Sequence, residues 1–379
     1  MPSSSQLSKK KRVLILMATA GGGHKSAAES IAQALTDKYG DQVTIDSVDV
    51  LKEYAPQPFG YSPEAYQLMI KSPAAWKGFY DLGDGVRRSK MINSSISRYA
   101  RRHSERLLDN HQADIIVSTY HFANSPILKI LRRRHLDTPF VTVVTDLVTA
   151  PPIWFDTRTT LCITPTTETA ELARKSGLDP SIIKVIGMPV SERFTPPTQP
   201  KAHLKAALGW PSDKPAIIAM AGGEGVGSLD QIAEELTTLD ATIVVITGKN
   251  THLLKKLIAK DAPKNLRVYG FINNMHQLMQ AADLIVTKAG PGTIVEALNS
   301  HLPLVLYSRL SGQEDGNVSF VTDHGAGIWQ PKIQDMASTI QKILDNPLEI
   351  ANMTAAAAGI AQNGANTKIA ATIGGLLAL

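Results

Sequence analysis

The stretch Val13-Leu14-Ile15-Leu16-Met17-Ala18-Thr19-Ala20-Gly21-Gly22-Gly23-His24-Lys25-Ser26 decides the fold. Six apolar residues in a row read as a strand buried on both faces, which is the habit of parallel sheets. Three glycines then turn the chain into a stretch of helical period over 25–35. Strand, glycine turn and helix in that order open a doubly wound α/β domain.

Working outward, the same alternation continues. Short β-branched runs predict strands over 13–18, 43–48, 115–119, 140–145, 161–164 and 184–186, and a second set over 216–221, 242–247, 266–269, 284–287 and 304–307. Helical stretches separate them, so two doubly wound domains are expected. Thr195-Pro196-Pro197-Thr198-Gln199-Pro200 breaks the pattern, since prolines so placed continue neither a helix nor a central strand. The expected organisation is a disordered tail over 1–9, a first domain over 10–194, a linker over 195–203 and a second domain over 204–347. Alanine-rich helices over 348–379 are expected to pack back on the first domain.

The chain has 379 residues and a single cysteine, Cys162, so no internal disulfide framework exists and a reducing compartment is the natural reading. The apolar run at 13–18 is too short for a signal peptide, and no run approaches the ~20 residues that span a bilayer. Residues 1–195 hold 25 Lys and Arg against 19 Asp and Glu, whereas the remainder holds 14 against 15. The excess gathers at Arg87, Arg88, Lys90, Arg98, Arg101, Arg102 and Arg106, and again at Arg132, Arg133 and Arg134. Such a distribution fits an anionic partner, with a solvated helix face as the other reading. No nucleic-acid partner is expected.

The glycine loops carry the chemistry. Gly21, Gly23 and Ser26 nearly match a dinucleotide fingerprint, and Asp46 and Asp49 stand about where a ribose acid would. Against a nicotinamide enzyme, the third glycine is a serine and an ionisable His24 fills the turn. The second half has its own cradle, Lys288-Ala289-Gly290-Pro291-Gly292-Thr293, opening a helix. Gly290 and Gly292 expose backbone donors on either side of Pro291, and Thr293 adds a hydroxyl, which suits a diphosphate. Glu296, one turn on, can reach a ribose hydroxyl. Gly222, Gly223 and Glu224, then Gly248 and Lys249, then Phe271 and Ile272 follow successive strands, at the edge where such sheets bind ligands. Gln313, Glu314 and Asn317 offer polar groups to sugar hydroxyls. With Gly23 these form the expected nucleotide-sugar site.

Seven motifs in fixed order now point to a family. They are Gly21-Gly22-Gly23-His24-Lys25-Ser26-Ala27-Ala28-Glu29, Thr145-Asp146, Pro152-Ile153-Trp154-Phe155, Gly187-Met188-Pro189-Val190, Gly222-Gly223-Glu224-Gly225, Thr287-Lys288-Ala289-Gly290-Pro291-Gly292-Thr293-Ile294 and Gly312-Gln313-Glu314. Over roughly 12–370 the chain resembles the monogalactosyldiacylglycerol synthases and related diacylglycerol glucosyltransferases of glycosyltransferase family 28. The resemblance implies a GT-B fold, with two Rossmann-like parallel-sheet domains facing across a cleft. It implies inverting transfer of a hexose, galactose before glucose, from a UDP-hexose to 1,2-diacylglycerol. It also implies a cytoplasmic protein held peripherally on an anionic membrane surface, with Trp76, Phe79 and Tyr80 as interfacial anchors. A UDP-sugar epimerase is the runner-up enzyme. The family's arginine after the Gly-x-Pro-Val stretch is replaced by Ser191, with Arg193 two residues later.

Inverting transfer needs a base, and His24 is the candidate, since an imidazole near pKa 6.5 takes up protons at neutral pH. Asp146 is the second candidate, as base or as partner to His24. His121 is a weaker third, more readily a satisfied structural histidine. No Asp-x-Asp occurs, so no metal and no cofactor beyond the UDP-sugar donor is expected.

Overall fold

The computed structural model describes residues 10–19, 22–55, 85–221, 228–258 and 263–379, without the side chains of 86, 87, 89, 90, 92 and 93. The expected tail over 1–9, the aromatics Trp76, Phe79 and Tyr80, and the Gly222, Gly223 and Glu224 loop lie outside those residues, as do the side chains of Arg87 and Lys90. Contacts divide the chain into two compact units. One joins the described residues up to Pro189 to Gly364–Leu379, and the other is formed by the described residues of Val190–Asn363.

The first unit holds β1 (Lys11–Met17), β2 (Val43–Asp49), β3 (Ile115–Ser118), β4 (Phe140–Val143), β5 (Leu161–Thr164) and β6 (Ile183–Val185), all parallel in the order β2-β1-β3-β4-β5-β6. Their inward runs explain the pairing. Val13 to Leu16, Ile115 to Val117 and Phe140 to Val143 are buried on both faces, the polar Thr142 included. The core on one face takes Ala28, Ile31 and Leu35 from the helix Gly23–Tyr39, and that on the other takes Ile127, Leu128 and Leu131 from the helix His121–Arg133.

The second unit holds β7 (Ala216–Met220), β8 (Thr242–Ile246), β9 (Leu266–Tyr269), β10 (Leu284–Lys288), β11 (Leu304–Ser308) and β12 (Gly327–Trp329), parallel in the order β12-β11-β10-β7-β8-β9. Counted from its own first strand this is 6-5-4-1-2-3, the dinucleotide-fold order read from the far edge. Eleven of the twelve strands coincide with apolar runs visible in the sequence. The twelfth, Gly-Ile-Trp at the edge, is too short to show a pattern. It pairs tightly, since a Cβ on Gly327 would come within 2.4 Å of the Leu304 carbonyl.

Three expected boundaries are corrected. The first unit ends at Pro189, not at 194, because Val190 and Phe194 are buried in the second unit's share of the chain. The stretch read as a linker over 195–203 is pinned rather than free: Gln280 donates to the carbonyl and hydroxyl of Thr195 at 3.2 and 2.9 Å, and a helix, Lys201–Ala207, already begins within it. Lys201 and Lys205 of that helix reach Asp283 at 3.3 and 2.6 Å. The C-terminal helices divide. Pro347–Gly359 stays with the second unit, and only Gly364–Leu379 joins the first.

The last helix, Ala365–Leu376, buries Ile369, Ala370 and Ile373 in the core shared with β1, β3 and β4. A Cβ on Gly374 would overlap the Tyr39 hydroxyl at 1.9 Å, so glycine is what lets this helix close on Gly23–Tyr39. Ile373 is fully buried there. Ile373→Ala is therefore expected to destabilise the protein by about 2–5 kcal/mol through lost burial and a cavity. Denaturant unfolding checks this, and a change below about 1 kcal/mol would show that the helix only rests on the unit.

Candidate active site

Both sheets place their loops by the same rule. In open parallel sheets the crevice for ligands opens outside the carboxyl ends of the strands where the winding reverses. In the first unit the reversal lies between β1 and β3, and in the second between β7 and β10.

At the first reversal β1 runs through Thr19 to Gly22, whose φ of 73° is left-handed and favours glycine. His24 follows as the second residue of the helix Gly23–Tyr39. β3 delivers Thr119, Tyr120 and His121 to the same edge, and β4 delivers Thr145 and Asp146. The Thr119 hydroxyl lies 3.0 Å from the His24 carbonyl, fixing the turn. The Thr145 hydroxyl lies 3.0 Å from His24 Nδ1, fixing the ring. Around that ring stand Tyr120, His121 and Trp154, with centroids 5.3, 5.9 and 6.0 Å away.

Trp154 donates its indole N–H to the buried Asp146 carboxylate at 2.6 Å. The structure thus puts a threonine, not Asp146, against His24 Nδ1, and gives Asp146 the task of holding Trp154. His121 departs from the satisfied structural histidine expected of it. Among the described residues its buried Nδ1 has no hydrogen-bond partner, and its ring lies 4.9 Å from that of Trp154. Thr145 and Trp154 stood within quoted motifs. Tyr120 carried no signal, because a tyrosine after an apolar run reads as core.

Burial lowers the pKa of His24 to about 4, with a hydrogen bond to the Thr119 backbone opposing it in part. Burial and the neighbouring His24 push His121 well down too. Both rings are neutral near pH 7, the form that accepts a proton. The dinucleotide reading fares badly. Asp49 spends its carboxylate on the backbone N–H groups of Thr19, Leu51 and Lys52, each at 3.1 Å, and Asp46 pairs with His111. Neither is left in the place of a ribose acid.

At the second reversal β10 leads through Ala289 and Gly290 into the helix Pro291–Asn299. Pro291 takes the first helical position, where its missing N–H costs nothing. Among the described residues no side chain caps the helix, and its first turn carries no acid, so the N–H groups of Gly292 and Thr293 are left for a ligand with the dipole behind them. Lys288 donates to Glu314 at 2.8 Å, Leu310 N donates to the other Glu314 oxygen at 2.7 Å, and Asn317 Nδ2 donates to the Ala289 carbonyl at 2.9 Å. Glu314 and Asn317, expected against sugar hydroxyls, therefore also tie the loops after β10 and β11 together; both are buried. Gln313 stands half-buried beside them.

Glu296 is half-buried, and its carboxyl makes no hydrogen bond among the described residues. Burial raises its pKa to about 8, which leaves it a neutral donor at pH 7. Gly248, with φ of 58°, and Lys249 follow β8, while Phe271, 65% exposed, and Ile272 follow β9. Among the described residues no group of three or more His, Cys, Asp or Glu is placed to hold a metal. Arg193 folds back on Ser191, its Nε 3.4 Å from the hydroxyl.

This architecture is the GT-B fold of glycosyltransferases. The crystal structure of MurG from Acinetobacter baumannii matches with a TM-score of 0.61 at 17% identity, over 96% of this chain and 99% of that one. That of Anabaena Alr3699/HepE in complex with UDP-glucose matches with a TM-score of 0.54 at 15% identity, over 96% and 100%. The family model for monogalactosyldiacylglycerol synthase matches residues 24–190, and that for the glycosyltransferase family 28 C-terminal domain matches residues 226–370. The chain is 38% identical to the chloroplastic monogalactosyldiacylglycerol synthase of Spinacia oleracea, over 88% of this chain and 66% of that protein. It is 34% identical to the probable monogalactosyldiacylglycerol synthase 2, chloroplastic, of Oryza sativa subsp. japonica, over 90% and 75%. The chain belongs to the monogalactosyldiacylglycerol synthase family. It spans just under two thirds of the length of the spinach relative.

The histidine shifts fix how stability depends on pH. Lowered pKa values mean that the unfolded chain binds protons more readily than the folded one below about 6.5. Stability is then full above pH 6.5 and is lost as pH falls toward 4. His24→Asn combined with His121→Asn is expected to flatten that loss in denaturant titrations between pH 7 and 4.5. An equal slope in the variant would mean that neither ring is held neutral.

Proposed function

We propose that the protein is an inverting glycosyltransferase that moves galactose from UDP-galactose to the hydroxyl of 1,2-diacylglycerol. The single observation that carries this reading is the neutral His24, locked by Thr145 at the ligand edge of the first sheet, in a member of this family. The second unit complements it with a helix N-terminus suited to a diphosphate. The relatives' names favour galactose over glucose, and the family favours transfer over epimerisation.

The acceptor oxygen forms its bond to the anomeric carbon as the bond from that carbon to the UDP oxygen breaks, on the opposite face. The acceptor proton goes to His24. With a pKa of about 4 the ring is a weak base, so the proton moves in step with attack rather than before it. Charge gathering on the departing UDP is met by the Gly292 and Thr293 N–H groups and by the dipole of Pro291–Asn299. Gly290, having no side chain, leaves that approach open. Glu296 donates to a ribose hydroxyl, with Gly248, Lys249, Phe271 and Ile272 bordering the nucleotide. No step calls for a metal, because donors and dipole suffice for the leaving group.

The acceptor resides in a membrane, and no helix of the described residues is long and apolar enough to cross one. We place the protein at the membrane surface on the strength of the basic half of the chain, which an anionic surface attracts. Its placement on the cytoplasmic face belongs to this same reading.

His24→Ala is expected to keep UDP affinity and to lower kcat by roughly 10²–10⁴-fold at saturating UDP-galactose, as for loss of a general base. Thermal unfolding run alongside separates chemistry from folding. A near-wild-type kcat would move the base to Asp146 or His121. Weakened UDP affinity would make His24 a phosphate ligand instead.

A further inference from the structure

The loop after β11 runs from Arg309 to Asp315 and carries Gln313 and Glu314, the residues expected against the sugar. Two carboxylates tie it. Glu314, 2% exposed, works from the buried side, accepting from Leu310 N at 2.7 Å and from Lys288 at 2.8 Å. Asp315 works from the solvent side. One of its oxygens accepts from Gly312 N at 3.0 Å, where a φ of 87° turns the chain, and the other meets Arg309 Nε at 2.6 Å. The Arg309 guanidinium in turn lies over the Trp329 ring, 5.0 Å from its centroid. Trp329 is the last residue of β12, the edge strand beside β11, and the next residue, Gln330, donates its N–H to the Leu306 carbonyl at 2.8 Å. A chain of contacts thus runs from the edge strand, through a cation–π pair and an ion pair, to the backbone of the turn.

The outer tie adds little to the stability of the fold. The side chains of Arg309 and Asp315 are 37% and 50% exposed, and water screens ion pairs at such sites. The ends of the loop are fixed without it, by the pairing of β11 with β10 and by the buried Glu314 tie. What the outer tie holds is the path between those ends. A glycine in a turn has more conformational freedom to lose than any other residue, and the Asp315 carboxylate is what restrains Gly312.

We propose that Arg309 and Asp315, backed by Trp329, are positioning residues that set the choice of hexose by fixing the turn on which Gln313 and Glu314 stand. The proposal rests on the reading of this edge as the donor-sugar site. Galactose and glucose differ only in the direction of the hydroxyl at C4. A site tells them apart when its hydrogen-bond partners keep their place, because a partner free to shift follows either hydroxyl. Arginine suits the brace, since a planar guanidinium can stack on an aromatic face and pair with a carboxylate at once.

The test measures kcat/KM for UDP-galactose and for UDP-glucose with diacylglycerol vesicles, and the affinity for UDP alone by calorimetry. Wild type is compared with Asp315→Ala, Arg309→Ala and the double variant. The control, Asp240→Ala, removes an exposed ion pair with Lys214 that lies before β7 and β8, at the other edge of the same sheet. Asp315→Ala is expected to lower the preference for galactose by about ten-fold, with UDP affinity and thermal midpoint near wild type. Arg309→Ala is expected to move the preference the same way. It leaves the Gly312 tie in place, so it reads the effect even where Asp315→Ala is unstable. The double variant is expected to be no worse than Asp315→Ala, since both residues act through one contact. An unchanged preference in both single variants, an equal loss with both sugars, or the same loss in the control overturns the proposal and leaves the transferase reading standing. A wild type that uses neither sugar, or both alike, overturns the transferase reading and this proposal with it.

Discussion

Parallel pairing is the constraint on which the rest depends. Every strand of both sheets runs the same way, so every strand-to-helix turn falls on one edge of its sheet. The order of the strands then selects which turns meet. β1 beside β3 brings His24, Thr119 and His121 to one place, with Thr145 arriving from β4. β10 beside β7 puts the Gly290–Thr293 turn at the second reversal. A hairpin-based sheet of similar composition would scatter these residues over two edges.

The sites so formed share an electrostatic character. Burial keeps His24 and Glu296 neutral near pH 7 by lowering one pKa to about 4 and raising the other to about 8. Lys288, whose ammonium lies beside Gly290, is already paired with Glu314. The cradle proposed for the diphosphate in the second unit is therefore made of backbone N–H groups and a helix dipole. Such donors are oriented in advance, and they need no reorganisation when charge develops.

Much of this was legible in the sequence for physical reasons. Strands buried on both faces leave unbroken apolar runs, and glycine turns before helices mark ligand loops, so two doubly wound units and their binding edges could be read directly. Strand order could not, because crossover helices of similar length serve either direction of winding. That is why the Thr145 contact to His24 went unseen behind the more conspicuous Asp146. Glu314 and Asn317 look like sugar ligands in isolation, and only the fold shows that they also brace two loops. Prolines at 196, 197 and 200 do break regular structure, yet Gln280 pins the chain beside them, a contact 85 residues away in sequence. β12 is three residues long and offers no period to detect.

The central claim is that this site transfers galactose with inversion to a diacylglycerol hydroxyl. The most direct test incubates the purified protein with diacylglycerol vesicles and each UDP-hexose in turn, and reads the product's sugar and anomeric configuration by NMR. The account predicts a β-linked monogalactosyl lipid, with UDP released only when diacylglycerol is present. An α-linked product, hexose interconversion without transfer, or UDP release independent of the lipid would contradict it.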